Sequence, residues 1–334
     1  MKSKILLIRF SSFGDVLQCL SVASKLKELI PEAEIVWLTR REMAPLIETH
    51  PAVTRVIPFD RKLGLIGLVQ LAWKLRSDNF THIYDAHNNL RSNVVSLILS
   101  FTTSSVRFFT QKNIHRFKRF LLFTFRINRF AMPFNGQRDL LEPLTRWGGD
   151  LVAPPTPQFF PSENSLKQAT HLVNDFFNAI ALAPSAAYPL KRWPLENWKQ
   201  LVASMPNQKF ILLGGPEDQF VDEIASVAPD RVLNLAGKCN FEVSAAVIAL
   251  SSALVANDTG LMHVGEQLGK KTIALMGPAP FGFPSRSTTT ILQRDLPCRP
   301  CSKHGQGPCK NKIFQECLAT ISPQEVASHL GQKS

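Results

Sequence analysis

No stretch of the chain is apolar for long enough to cross a bilayer; the best charge-free candidate, Ser92 to Val106, is short and rich in Ser and Thr. Charged residues are also scarce, 19% against the usual quarter. Six cysteines in 334 residues are too few for a disulfide framework. The N-terminal run MKSKILLIRFSS is interrupted by Arg9 and reads as a first β-strand, not a secretion signal. A reducing cytoplasm is therefore the expected compartment. No internal repeat, no G-x-G-x-x-G dinucleotide fingerprint and no RNA-binding motif is visible. Acid is in short supply too: 26 Asp and Glu face 38 Lys and Arg, a net charge of +12. That imbalance points to an anionic partner, whether nucleic acid, membrane surface or phosphorylated substrate.

What is present is a globular chain. Hydrophobic residues make up 45%, which excludes general disorder, and the length suits two domains. Apolar strands at Ile5–Ile8, Ile35–Leu38, Val56–Pro58 and His82–Tyr84 alternate with helices at Asp15–Leu29, Lys62–Asp78 and Ser92–Ser100. The pattern breaks at DLVAPPTPQFFPS, residues 150–162, whose four prolines make a stiff linker. A second series follows. Its strands are expected at Ile180–Ala183, Lys209–Leu213, Val232–Asn234, Ala253–Ala256 and Thr272–Met276. Its helices are expected at Trp193–Met205, Gln219–Ala228, Glu242–Leu250 and Leu261–Leu268. The fold class is α/β, two Rossmann-like domains facing across a cleft, with the break at 155/156: residues 1–155 and 156–334.

The charge is uneven. Residues 1–150 hold 22 Lys and Arg against 12 acids, and the remainder is nearly balanced. Arg107 to Arg138 carries eight bases and no acid. In its centre Phe117, Phe120, Leu121 and Phe125 can share one helical face, flanked by Arg116, Lys118 and Arg119. Such a helix either meets anionic lipid or packs its apolar side into the core. RNA also suits bases interleaved with aromatics, but nucleic acid is not expected without a motif.

Ligands of parallel sheets sit where strands run into helices, so five loops matter. IRFSSFGDVLQ places Asp15 at a helix start, as an N-cap or as a carboxylate that takes a proton from a hydroxyl. YDAHNNLRS gathers Asp85, His87, Asn88, Asn89 and Arg91, an acceptor pocket or a capped turn. In APSAAYPLKRWP, Ser185, Lys191 and Arg192 suit a diphosphate, or are ordinary surface residues. LGGPED lets backbone approach a ligand and offers Glu217 to a ribose diol. VANDTGLMHV is the sharpest: a strand, an Asp258-Thr259-Gly260 turn, then the start of a helix with free N–H groups. His263, one turn inside, faces either ligand or core.

Taken together and in this order, SSFGDVLQ, YDAHNNLRS, LKRWPLENW, LLGGPED and NDTGLMHVGEQLGKKTIALMGP resemble the family 9 glycosyltransferases, the lipopolysaccharide heptosyltransferases. The resemblance implies a GT-B fold, with acceptor on the N-terminal domain and nucleotide sugar on the C-terminal one. It implies inverting transfer of heptose from ADP-heptose to the lipid A–Kdo inner core, with no cofactor and no catalytic metal. By matching position, Asp15 is the general base and Lys191 the diphosphate-binding cation. Ser185, Glu217, Asp258, Thr259, Gly260, Leu261 and His263 bind donor, and Asp85, His87, Asn88 and Arg91 bind acceptor. It also implies a cytoplasmic protein peripherally associated with the inner face of the membrane, and a C-terminal helix packed on the first domain. His87-Asn88-Asn89 departs from the family's usual Gln-Gly. The rival readings are a GT-B transferase or epimerase using another nucleotide sugar, and a non-catalytic basic lipid- or RNA-binding protein.

One motif stands outside this scheme. Cys298-x2-Cys301-x7-Cys309-x7-Cys317 has the opening of a zinc knuckle but no second C-x2-C. Structural zinc (with His304 as a competing ligand), a disulfide and reduced thiols are all compatible with that spacing.

Overall fold

The computed structural model describes residues 3–331; the first two and last three residues of the domain ranges above lie outside them. The described residues form two compact units. One comprises the chain up to Phe130 with Asn135–Phe160, the other Ala131–Phe134 with the chain from Pro161.

In chain order the first unit holds β1 (Lys4–Ile8), α1 (Phe13–Leu29), β2 (Glu34–Arg40), β3 (Arg55–Phe59), α2 (Gly64–Leu75), β4 (His82–Asp85), α3 (Leu90–Thr102), β5 (Phe108–Gln111), α4 (Arg116–Phe125) and α5 (Gly136–Leu141). Its strands are all parallel, in the order β3-β2-β1-β4-β5. Helices on both faces explain why β1 and β2 read as unbroken apolar runs. On one face Leu6, Ile8, Val36, Leu38 and Ile83 pack with Leu68, Ala72, Val95 and Leu99. The order reverses between β1 and β4, whose ends are in register, Ile8 beside Asp85. That switch point is where the loops of Asp15 and His87 emerge.

The second unit holds α6 (Glu163–Val173), β6 (Ile180–Ala183), α7 (Leu195–Ser204), β7 (Phe210–Leu212), α8 (Val221–Ala225), β8 (Val232–Asn234), α9 (Phe241–Leu250), β9 (Ala253–Asn257), α10 (Gly260–Leu268), β10 (Lys271–Leu275), β11 (Thr289–Leu292), α11 (Glu316–Ala319) and α12 (Pro323–Leu330). Its six parallel strands run β11-β10-β9-β6-β7-β8. The core joins Leu182, Leu212, Val255 and Ile273 to Trp198, Leu201 and Val202 of α7. Here the order reverses between β6 and β9, Ala183 beside Ala256. The Lys191 and Asp258 loops leave from that point.

Several expectations are corrected. The first unit runs past residue 155 because Gln158 and Phe159 are buried and Ser24 Oγ donates to Gln158 Oε1 at 2.7 Å. Within the second unit α12 packs on α7, with Val326 and Ala327 in its core. Trp193 Nε1 donates to Ile321 O just before it, at 3.0 Å. β5, β11 and α6 were not anticipated. The basic helix is shorter than its sequence pattern, since Phe108–Gln111 is strand β5. Its phenylalanines are not core: Phe117, Phe120 and Phe125 are 71%, 53% and 59% exposed, and Leu122 is the buried residue of α4.

Candidate active site

Asp15 is not the N-cap of α1. Ser12 is, and Asp15 is the third helical residue, completing a capping box. Its Oδ2 accepts from Ser12 N at 3.2 Å and from Ser12 Oγ at 2.9 Å. The same oxygen lies 2.7 Å from Nη2 of Arg9. Burial works to raise the Asp15 pKa, but Arg9, Lys112 and the Ser12 hydrogen bonds hold it well below the usual carboxylate range. Asp15 is thus held as a carboxylate in the first turn of α1. Arg9, buried at that same strand end, also donates through Nη1 to Ala86 O at 2.6 Å. It pins the Asp15 loop to the loop after β4.

In that second loop the expected acceptor residues separate. Asp85 is fully buried, and its Oδ1 accepts from the N–H groups of His87 at 2.9 Å and Asn88 at 2.8 Å. It builds the turn, and burial raises its pKa. Asn88 has φ +50, a left-handed conformation that asparagine tolerates, and donates through Nδ2 to Lys112 O at 2.7 Å. Asn89 caps α3 through Ser92 N at 3.0 Å. His87 stays half-buried, edge-on to Phe10 with centroids 5.6 Å apart. Burial first, then Arg9, lowers its pKa to about 4, so its imidazole is neutral at pH 7. Arg91 is exposed.

In the second unit the loops after β6 and β9 are tied together. Asn257, fully buried at the end of β9, donates through Nδ2 to Pro184 O at 2.7 Å. Its Oδ1 accepts from Trp193 N at 3.0 Å. The chain between those two anchors carries Ser185 and Lys191. Lys191 Nζ lies 2.6 Å from Asp258 Oδ2, both largely shielded from solvent. Thr259 is the N-cap of α10 but makes no side-chain cap bond. No side chain caps the first amides of α10, which follow directly on the Asp258 paired with Lys191; such a helix start suits anionic oxygens.

Ser185 Oγ is buried with no hydrogen-bond partner, close against Gly214, where a Cβ would stand 3.0 Å from it. A Cβ on Gly215 would fall 2.7 Å from the Glu217 carboxylate, so glycine there gives exposed Glu217 its room. Leu261 is half-buried in the first turn of α10. His263 is buried, its Nδ1 2.8 Å from Glu266 Oε2. Glu266 in turn accepts from the backbone N–H of Ser285. Sequence reasoning missed Arg9, Lys112, Asn257 and Glu266. Arg9 had a visible signal, a cation at the end of an apolar strand; the others depend on distant partners.

Two parallel-sheet α/β units, each with its strand order reversing at a switch point, are the architecture of the GT-B fold. The profile of glycosyltransferase family 9 (heptosyltransferase) matches residues 68–310, more than half of the chain. The chain is 23% identical over 275 residues to the lipopolysaccharide core heptosyltransferase OpsX of Haemophilus influenzae, covering 80% of this chain and 77% of that protein. The structure of a family 9 glycosyl transferase from Veillonella parvula superposes with a TM-score of 0.76 at 19% identity, covering 98% of this chain and 96% of that one. ADP-heptose LPS heptosyltransferase II of Escherichia coli gives 0.69 at 22% identity, covering 98% and 97%. The chain belongs to glycosyltransferase family 9.

Proposed function

We propose that this enzyme transfers heptose from ADP-heptose to the lipid A–Kdo inner core of lipopolysaccharide with inversion at the anomeric carbon. In this reading the first unit holds the acceptor and the second the donor. The acceptor hydroxyl attacks the anomeric carbon as the bond to ADP breaks, and its proton passes to Asp15. Lys191 and the first amides of α10 balance the charge that grows on the departing diphosphate. Ser185, Thr259, Gly260 and Leu261 bind phosphate and its surroundings, and Asp258 the sugar. Glu217 takes the ribose diol, and His263 borders the donor from behind, oriented by Glu266. His87, Asn88 and Arg91 face the acceptor, while Asp85 shapes their turn.

The observation that carries this reading is the Lys191–Asp258 pair at the open start of α10, in a chain of family 9. What supports an anionic acceptor is the excess of base in residues 1–150. The same excess supports peripheral association with the inner face of the cytoplasmic membrane through α4, whose exposed phenylalanines lie among bases. No helix among the described residues is long and apolar enough to cross a membrane. A screen of nucleotide sugars with heptose-free core lipopolysaccharide, read by product mass, tests the assignment. Transfer with ADP-heptose supports it; transfer only from another donor, or ADP release independent of acceptor, contradicts it.

A further inference from the structure

The segment from the end of β11 into α11 brings together four cysteines that are 19 residues apart from first to last in the chain. Cys298, Cys301, Cys309 and Cys317 line one small cavity, closed on one side by Leu190. All are free thiols. A tetrathiolate shell is the usual structural zinc site. The setting suits a dianionic Zn(Cys)4 centre. Arg299, Lys303, Lys310 and Lys312 stand in the segment between Cys298 and Cys317, and the one acid lining the cavity, Glu316, accepts from Asn311 Nδ2. Arg299 is fastened in place by donation from Nε to Gly277 O at 2.8 Å. The Gln315 backbone N–H already donates to Cys309 Sγ at 3.4 Å, the kind of bond that supports a metal-bound sulfur. His304, the competing ligand by sequence, does not line the cavity.

This loop also packs against the segment that carries Lys191. Gly305, at φ +86, passes so close to Lys191 that a Cβ there would lie 2.8 Å from Lys191 Cγ. Gln306 Nε2 donates to Tyr188 Oη at 2.9 Å, and Gln315 Nε2 to Pro189 O at 2.7 Å. Among the described residues, the group of metal-ligating atoms all within 4.8 Å of one another is His115, Asp139 and Glu142, where Lys112 Nζ already stands 3.0 Å from Asp139. No three of the four sulfurs lie within 4.8 Å of one another, a wider setting than the roughly 3.8 Å between ligands of a closed tetrahedron with Zn–S of about 2.3 Å.

We propose that Cys298, Cys301, Cys309 and Cys317 bind one structural zinc ion, which draws this loop together and holds it as a buttress under Lys191. Binding releases the thiol protons and leaves the four sulfurs as thiolates. The zinc does no chemistry on the substrate. The buttress role rests on the assignment of Lys191 to the diphosphate; the zinc site does not.

The test is elemental analysis of the full-length protein, purified without chelator or metal-affinity resin from medium containing both zinc and iron. About one zinc per chain is expected, lost in the Cys301→Ser/Cys309→Ser variant. Cobalt exchanged into the wild type should show tetrahedral d–d bands and thiolate-to-metal charge transfer. Zinc below a tenth of an equivalent, iron in its place, zinc undiminished in the double variant, or a thiol titration revealing a disulfide among the four overturns the site. Titration with ADP alone reads the second half. Zinc removal should weaken ADP binding by about 5- to 150-fold, the usual range for coupled sites, and added zinc should restore it. Unchanged ADP affinity in zinc-free, folded protein overturns the buttress and leaves both the zinc site and the heptosyl-transfer reading standing.

Discussion

Arg9 Nη2 lies 2.7 Å from Asp15 Oδ2, and Arg9 Nη1 lies 2.6 Å from the carbonyl of Ala86. One buried guanidinium thus keeps the proposed base ionised and fixes it relative to the loop after β4. A base that is always ionised never waits for deprotonation, and it accepts its proton as the attacking hydroxyl becomes acidic in the transition state.

The pH dependence follows. With the Asp15 pKa well below the ordinary range and that of His87 at about 4, kcat/KM should show no acid limb between pH 5 and 8. Loss of activity with a midpoint near 6.5 would assign the base to a histidine of ordinary pKa instead. Arg9→Gln releases Asp15 toward the usual carboxylate value, so an acid limb should rise into the range near pH 4.

His87 also links stability to pH. Its folded pKa, about 4, lies below the unfolded value of 6.5, so the unfolded chain binds the proton first. His87 therefore costs stability progressively as pH falls from about 6.5 to about 4, and costs nothing above that window. Melting temperatures of wild type and His87→Gln should diverge across this interval, the variant falling less steeply. Parallel curves would remove His87 from the account.

Lys191→Ala removes the cation proposed for the diphosphate and the ion-pair partner of Asp258. A loss of about 10²–10³ in kcat/KM for the nucleotide sugar is expected, the usual cost of a donor aimed at developing charge, with weaker ADP binding. Unaltered donor kinetics would place Lys191 outside the site.

Asn257→Ala strips partners from two buried backbone groups, the carbonyl of Pro184 and the amide of Trp193. Each orphaned group costs about 1–3 kcal/mol, so a stability loss of about 2–4 kcal/mol is expected by denaturant unfolding, together with a raised KM for donor. A neutral substitution would show that the two loops are held by something else.

For α4, binding to anionic vesicles should fall with salt, since the attraction of its bases is screened. Phe117→Ser/Phe120→Ser should weaken the binding that remains at high salt. Absence of binding at low salt, or binding indifferent to salt, argues against this surface.

Much of this was legible in the sequence because it depends on local pattern. The run VANDTG placed β9, its turn and the start of α10, since an apolar strand ending in Asp-Thr-Gly has few other readings. β5 escaped notice because its phenylalanines sit among bases and half of it is exposed; β11 is likewise a partly covered edge strand. α6 was hidden by the prolines before it. Asp15 was placed at the right helix start, but Ser12 took the cap. Nothing local could show that Lys191 meets Asp258, or that Arg9 meets Asp15 while gripping Ala86. Those pairings come from the parallel sheets, which set strand ends side by side across long stretches of chain.

The most direct test of the account is transfer by Asp15→Asn, measured with ADP-heptose and heptose-free core lipopolysaccharide beside the wild type. Asparagine keeps an oxygen for the Ser12 capping box but cannot take a proton. The wild type should add one heptosyl unit with release of ADP. The variant should stay folded, bind ADP as the wild type does, and turn over about 10²–10⁴ times more slowly. Turnover by the folded variant at near the wild-type rate would contradict it.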